Sequence, residues 1–190
     1  MVLKPEPANF QSNVRSPGQA FLKTVPNPSG QQFRNHDYWR KSLIDLGTAY
    51  NGICAYSSFW LPNSSSVDHF YPKSQHPNLA YEWGNYRLSH AEINNDKGNS
   101  IEILDPFNIQ NGWFILDIAT MYVRPETSLP SSIQTSVKKT IDILKLNKDK
   151  WVEMRFGIFE KWKGCTSSMK QSIQEHYPFI AIELQRQNVS

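Results

Sequence analysis

A chain of 190 residues, 39% apolar and 19% charged, can bury a substantial core, which excludes disordered and fibrous classes and suits one domain with extensions. No apolar run approaches a membrane span and the first ten residues lack a secretory apolar stretch, so a cytoplasmic protein with no membrane partner is expected. Two distant cysteines, Cys54 and Cys165, exclude a disulfide framework and a cysteine-only zinc site.

The net charge of +3 is unevenly spread: Lys/Arg stand against Asp/Glu as 6 to 3 over residues 1–53, 3 to 7 over 54–123, and 11 to 7 over 124–190. An acidic middle between basic flanks can hold a cation beside a polyanion, although solvated surface gives the same charge pattern. Residues 1–34 are rich in Pro, Ser, Asn, Gln and Gly and read as an extended arm. In "NHDYWRKSLIDLGTAY", Tyr38, Trp39, Ile44 (with Leu43), Leu46 and Tyr50 recur at the spacing of one helix face. Residues 54–98 lack periodicity and predict loops around short strands. "GWFILDI" at 112–118 reads as a buried strand after the "DPF" turn at 105–107.

The last third is helical by pattern. Ser131 or Ser132 can cap a helix with an apolar stripe of Ile133, Val137, Ile141 and Leu144. "WVEMRFGIFEKW" and "SIQEHYPFIAIELQRQ" follow, the second broken at Pro178. Trp151, Phe156, Phe159 and Trp162 read as core rather than as base-stacking platforms.

The chemistry concentrates in "VDHFYPKSQHPNLAYEWGNYRLSHAEINNDKGN". Asp68-His69 comes first, Asn85 follows in "WGNYRLS", and Asn94 in "INNDKGN". Taken singly, each is an ordinary turn, cap or structural residue. Together they pair a histidine, whose unperturbed pKa near 6.5 suits a general base, with a carboxylate and an amide oxygen. Those two hard donors are few enough to suit Mg²⁺, which keeps several waters.

In order and spacing, "DHFYPKS", "EWGNYRLS" and "NNDKG" resemble the blocks of the HNH, or His-Me finger, nuclease family. The "CAY" step and the "TIDILKLN" segment resemble bacterial HNH proteins related to the nuclease subunit of Septu-type anti-phage systems. The resemblance implies an α+β fold: a ββα-metal core at 35–110 (with the preceding helix), an extended arm at 1–34, and a mainly helical region at 111–190. It implies a metal-dependent endonuclease acting on DNA, with His69 as general base, Asp68 and Asn94 holding Mg²⁺ or Mn²⁺, and Asn85 bonding loop backbone to keep His69 aimed. Lys97, Lys73 and Arg87 would contact phosphates. The flanks imply an ATPase partner and a role in anti-phage defence. An inactive scaffold that binds nucleic acid, or serves as an adaptor subunit, is the alternative.

Many relatives brace this fold with zinc on two Cys-x-x-Cys pairs. Here those positions read Cys54, Ser57, His90 and Ile93, which do not make a tetrahedral site, so no structural zinc is expected. Apolar packing by Tyr56, Phe59, Trp60, Trp83 and Ile93 would replace it. His36, His76 and His176 have no matching partners in the pattern.

Overall fold

A computed structural model describes residues 1–63 and 65–189. It is α+β, with helices and two two-stranded antiparallel sheets among the described residues. The chain divides into two compact units, Met1–Ala55 with Leu61–Ile101, and Tyr56–Trp60 with Glu102–Ser190. The boundary thus falls after Ile101 rather than at 110, and the first 34 residues belong to the first unit.

Those 34 residues are not an extended arm. A π-helical turn (Gln11–Arg15) runs into α1 (Ser16–Thr24), and α2 spans Gly30–Asn35. Pro17 falls where the π-helical turn passes into α1, a change of hydrogen-bond pattern that accommodates a residue with no N–H. Ser29 and Gln32 form a capping box at α2, Ser29 Oγ accepting from Gln32 N–H and Gln32 Oε1 from Ser29 N–H. The segment is fixed by what it buries: Phe10, Val14 and Phe33 are each 1% exposed. Side chains of this size contribute about 1.5–3 kcal/mol each on burial. Phe10 packs edge-on against Trp83 and Tyr86, and Trp83 Nε1 donates to the Lys4 carbonyl at 2.8 Å. Gly18 lies so close to the Tyr81 ring that a Cβ there would fall 2.1 Å from Cγ.

The helical pattern at 38–50 forms in two parts, a 3₁₀ turn (Tyr38–Ser42) and α3 (Leu43–Ala49). Leu46 and Trp39 are buried, but Ile44 is 82% exposed, because two residues from Leu46 on the same helix it points to the opposite face. α3 lies against a hairpin of β1 (Ser65–His69) and β2 (Tyr86–His90). Its register pairs Val67 with Leu88, Asp68 with Arg87, and His69 with Tyr86. The connection at 70–85 carries two 3₁₀ turns, Pro77–Leu79 and Trp83–Asn85. α4 (Ala91–Lys97) follows β2 directly and packs on both strands. His90 caps it, Nδ1 accepting from Glu92 N–H at 3.1 Å. It ends at Gly98, whose φ of 53° and ψ of −126° only glycine adopts readily.

In the second unit, the expected strand is β3 (Phe114–Asp117), paired with β4 (Tyr122–Pro125), a strand the pattern does not signal. Four helices follow: α5 (Ser131–Ile143), α6 (Asp149–Lys163), α7 (Ser167–His176) and α8 (Pro178–Arg186). Pro178 opens α8, as expected of a residue that breaks one helix and suits the first turn of the next. Pro130, not a serine side chain, occupies the cap of α5. Trp151 and Trp162 are buried at 2% each, whereas Phe156 is 53% exposed and does not join that core. The buried Glu183 carboxylate accepts from Leu116 N–H at 2.9 Å, which ties α8 to β3.

Candidate functional site

Strand β1, the loop that follows it and helix α4 bring Asp68, His69, Lys73 and Asn94, but not Asn85, Arg87 or Lys97, to the wall of one small cleft of about 70 Å³. Val67, Asp68, His69, Pro72, Lys73, Asn94, Gly98 and Asn99 line it. Alternation along β1 nevertheless holds, and the two neighbours Asp68 and His69 reach different elements.

Asp68 turns towards α4. It is 2% exposed, and the ammonium of Lys97 donates to its Oδ1 at 3.1 Å and to the His69 carbonyl at 2.8 Å. The Lys97 side chain has no exposed surface and Asp68 keeps 3%, where it meets the cleft, so the pair is largely shielded from water. Removing one member of such a pair typically costs about 3–5 kcal/mol, because the survivor is a buried charge without its partner.

His69 turns towards the loop. Its Nε2 lies 2.9 Å from the Ala80 carbonyl, and since a carbonyl only accepts, that nitrogen carries the proton. Nδ1 then holds the lone pair of the neutral ring. The Tyr86 hydroxyl donates to the same carbonyl at 2.9 Å, and Trp39 and Tyr86 pack edge-on around the imidazole at 5.0 and 5.2 Å. Burial first, then the positive charge of Lys73 and that of Lys97, push the imidazole down to about 3, while its bond to Ala80 pulls the other way. His69 is therefore neutral at pH 7.

Asn85 is 4% exposed and spends its amide on the loop. Oδ1 accepts from Tyr71 N–H at 2.8 Å, and Nδ2 donates to the carbonyls of Tyr71 and Leu79, each at 3.0 Å. The residue beside Leu79 is Ala80, whose carbonyl orients His69. Asn94, half-buried on α4, donates through Nδ2 to Ser66 Oγ at 3.1 Å and to the Val67 carbonyl at 3.3 Å. That orientation leaves its Oδ1 for the cleft. Asp68 and Asn94 offer oxygens there that could hold a cation, and Asn99 lines the same cleft with its Oδ1 accepting from Ser74; among the described residues no three His, Cys, Asp or Glu side chains group as metal ligands.

The three cations expected at phosphates differ in what they touch. Lys73 lines the cleft with its ammonium 5.1 Å from the Trp39 ring centroid, and partial burial, followed by Lys97, lowers its pKa against the opposing pull of Asp68. Lys97 is committed to Asp68. Arg87 is 3% exposed, donates to the carbonyls of Gly84 and Tyr86, and stacks over Phe70, so it holds the hairpin rather than facing the cleft.

Among the zinc-replacing positions, Cys54 is buried and its Sγ accepts from His90 N–H at 3.4 Å. Of the expected bracing side chains, Trp83 and Ile93 are buried in the unit that holds the site. Tyr56, Phe59 and Trp60 belong to the other unit, and Trp60 is 39% exposed.

Trp39, Tyr86 and the Ala80 carbonyl are the parts of the site that sequence reasoning does not find. A backbone carbonyl leaves no trace in the residue pattern, and the two aromatics look like any core ring. In comparisons with known proteins, no family model matches the chain and no curated protein matches it.

Proposed function

We propose that this chain is a divalent-metal-dependent endonuclease of the HNH type that hydrolyses phosphodiester bonds in DNA. One observation carries the reading: Asp68, His69, Asn94 and Lys73 line one cleft, while Asn85 braces the loop that orients His69. His69 is the general base, its Nδ1 taking a proton from a water in the cleft. Lys73 binds the phosphate, being the cleft-lining cation not spent on an internal carboxylate. Asp68 and Asn94 would hold the cation, and two hard oxygens suit Mg²⁺ or Mn²⁺, whose remaining positions go to water and substrate. When bound, that ion offsets the charge that builds on the phosphate and on the departing oxygen. Within this reading, DNA is the substrate, and the flank resemblance adds an ATPase partner and a role in anti-phage defence.

The alternative, a non-catalytic nucleic-acid-binding or adaptor subunit, is favoured by a specific observation too. Asp68 is already neutralised by Lys97, and the depressed His69 is a weak base at rest.

Nicking of supercoiled plasmid separates the two. The nuclease reading expects Mg²⁺- or Mn²⁺-dependent relaxation that drops by about 10²-fold or more in His69→Ala. Plasmid binding without cleavage, or cleavage unchanged in His69→Ala, refutes it.

A further inference from the structure

We propose that Lys97 is an internal competitor of the divalent cation, so that this one ammonium sets how tightly the cleft takes metal. The inference rests on the hydrolase reading and adds to it a residue of the chain that governs metal affinity.

Asn94 and Lys97 are three residues apart on α4 and so share a helix face. Both reach β1: Asn94 bonds Ser66 and Val67, and Lys97 bonds Asp68 and the His69 carbonyl. A cation held by Asp68 and Asn94 would therefore lie beside the Lys97 ammonium, and both would draw on the same carboxylate. With no exposed surface, Lys97 cannot lean into water to relieve the repulsion. Like charges a few ångströms apart in a partly desolvated site repel strongly even at an effective dielectric constant of about 20. Asp68 can serve either cation fully, but not both.

Lys97 is also anchored by its second acceptor, the His69 carbonyl. Metal entry thus disturbs a contact to the backbone of the base itself. Metal binding and the seating of His69 are coupled through one side chain.

The test measures Mn²⁺ affinity through the electron paramagnetic resonance signal of the free aqueous ion. Lys97→Gln keeps a donor for Asp68 and the His69 carbonyl while removing the charge, and should bind Mn²⁺ at least ~10-fold more tightly than wild type. Asp68→Asn should lose the binding in either background. Equal or weaker binding in Lys97→Gln, with Asp68 still required, overturns the competition and leaves the hydrolase reading standing. No Mn²⁺ binding in any variant overturns both. Should Lys97→Gln not fold, the wild type decides. The ¹⁵Nζ resonance of Lys97 should shift as Mg²⁺ is added, and a resonance unmoved at saturation overturns the inference.

Discussion

Replacing Asn85 with alanine probes the link between loop and base most directly. The substitution strips hydrogen bonds from Tyr71 N–H, the Tyr71 carbonyl and the Leu79 carbonyl at once. A backbone group left unpaired in the interior costs about 1–3 kcal/mol. Tyr71 itself is 43% exposed, so water can reach part of its backbone, and a total of about 3 kcal/mol is expected rather than the full sum. Urea unfolding read by tryptophan fluorescence measures it. Asn85→Asp keeps the acceptor for Tyr71 N–H but sets a carboxylate against two carbonyls. It should therefore be as unstable as Asn85→Ala at pH 7 and recover towards pH 4, where the protonated acid can donate. Loosening the loop also lets water reach the imidazole, and because burial is the largest cause of its depression and outweighs the raising bond to Ala80, the His69 titration followed by NMR should move up from about 3 towards 6.5. An Asn85→Ala variant within about 0.5 kcal/mol of wild type, with His69 titrating as before, would refute the bracing role.

His69 makes stability depend on pH in a defined direction. Its pKa is about 3 folded against 6.5 for the free side chain, so the unfolded chain binds the proton more readily, and stability is full above 6.5 and lost as pH falls towards 3. Between pH 7 and pH 5 this amounts to about 2 kcal/mol, and a His69→Asn variant should lack that part of the slope in parallel urea titrations; equal slopes would contradict the buried neutral ring. Gly18→Ala gains helix propensity worth about 1 kcal/mol but drives a Cβ into the buried Tyr81 ring, so a net loss of about 1–3 kcal/mol is expected from thermal unfolding, and a stabilised variant would show that α1 is free to shift.

What could be read in the sequence was whatever depends on local order. The stripe Val137, Ile141, Leu144 is buried along α5 and its end, and Pro178 starts a helix where the pattern breaks, because both follow from backbone geometry alone. Asp68, His69, Asn85 and Asn94 stand out in the sequence by order and spacing, and the hairpin followed directly by a helix brings three of them, Asp68, His69 and Asn94, to one cleft. In residues 1–34 the polar, proline-rich composition outweighs a few large apolar side chains, so the sequence signals an extended arm where helices form. Only the approach of Tyr81 and Trp83, distant in sequence, makes helices there worth forming. β4 escaped for a similar reason: of Tyr122–Pro125, only Val123 is buried, too short a signal to alternate. The resemblance puts Lys97 at phosphates, whereas it is buried against Asp68, a partner 29 residues away that the local pattern does not signal.

The electrostatics of the site depend on what enters it. Burial alone is the largest influence holding His69 down, so taking away one lysine charge would restore only part of its basicity. Lys73 and Lys97 add to the depression, and each is matched to something of opposite sign: Lys97 to Asp68, and Lys73 to Asp68 more remotely. A phosphate arriving at Lys73 brings negative charge to the lysine that most depresses the ring, and so raises the affinity of Nδ1 for a proton. A cation arriving at Asp68 does the reverse. Under the nuclease reading, the base is then strongest when anionic substrate is present, since its charge offsets that of Lys73 and the metal together. A histidine held neutral and weak at rest is therefore compatible with catalysis, and the buried Lys97–Asp68 pair keeps the cleft from carrying an uncompensated carboxylate until that happens.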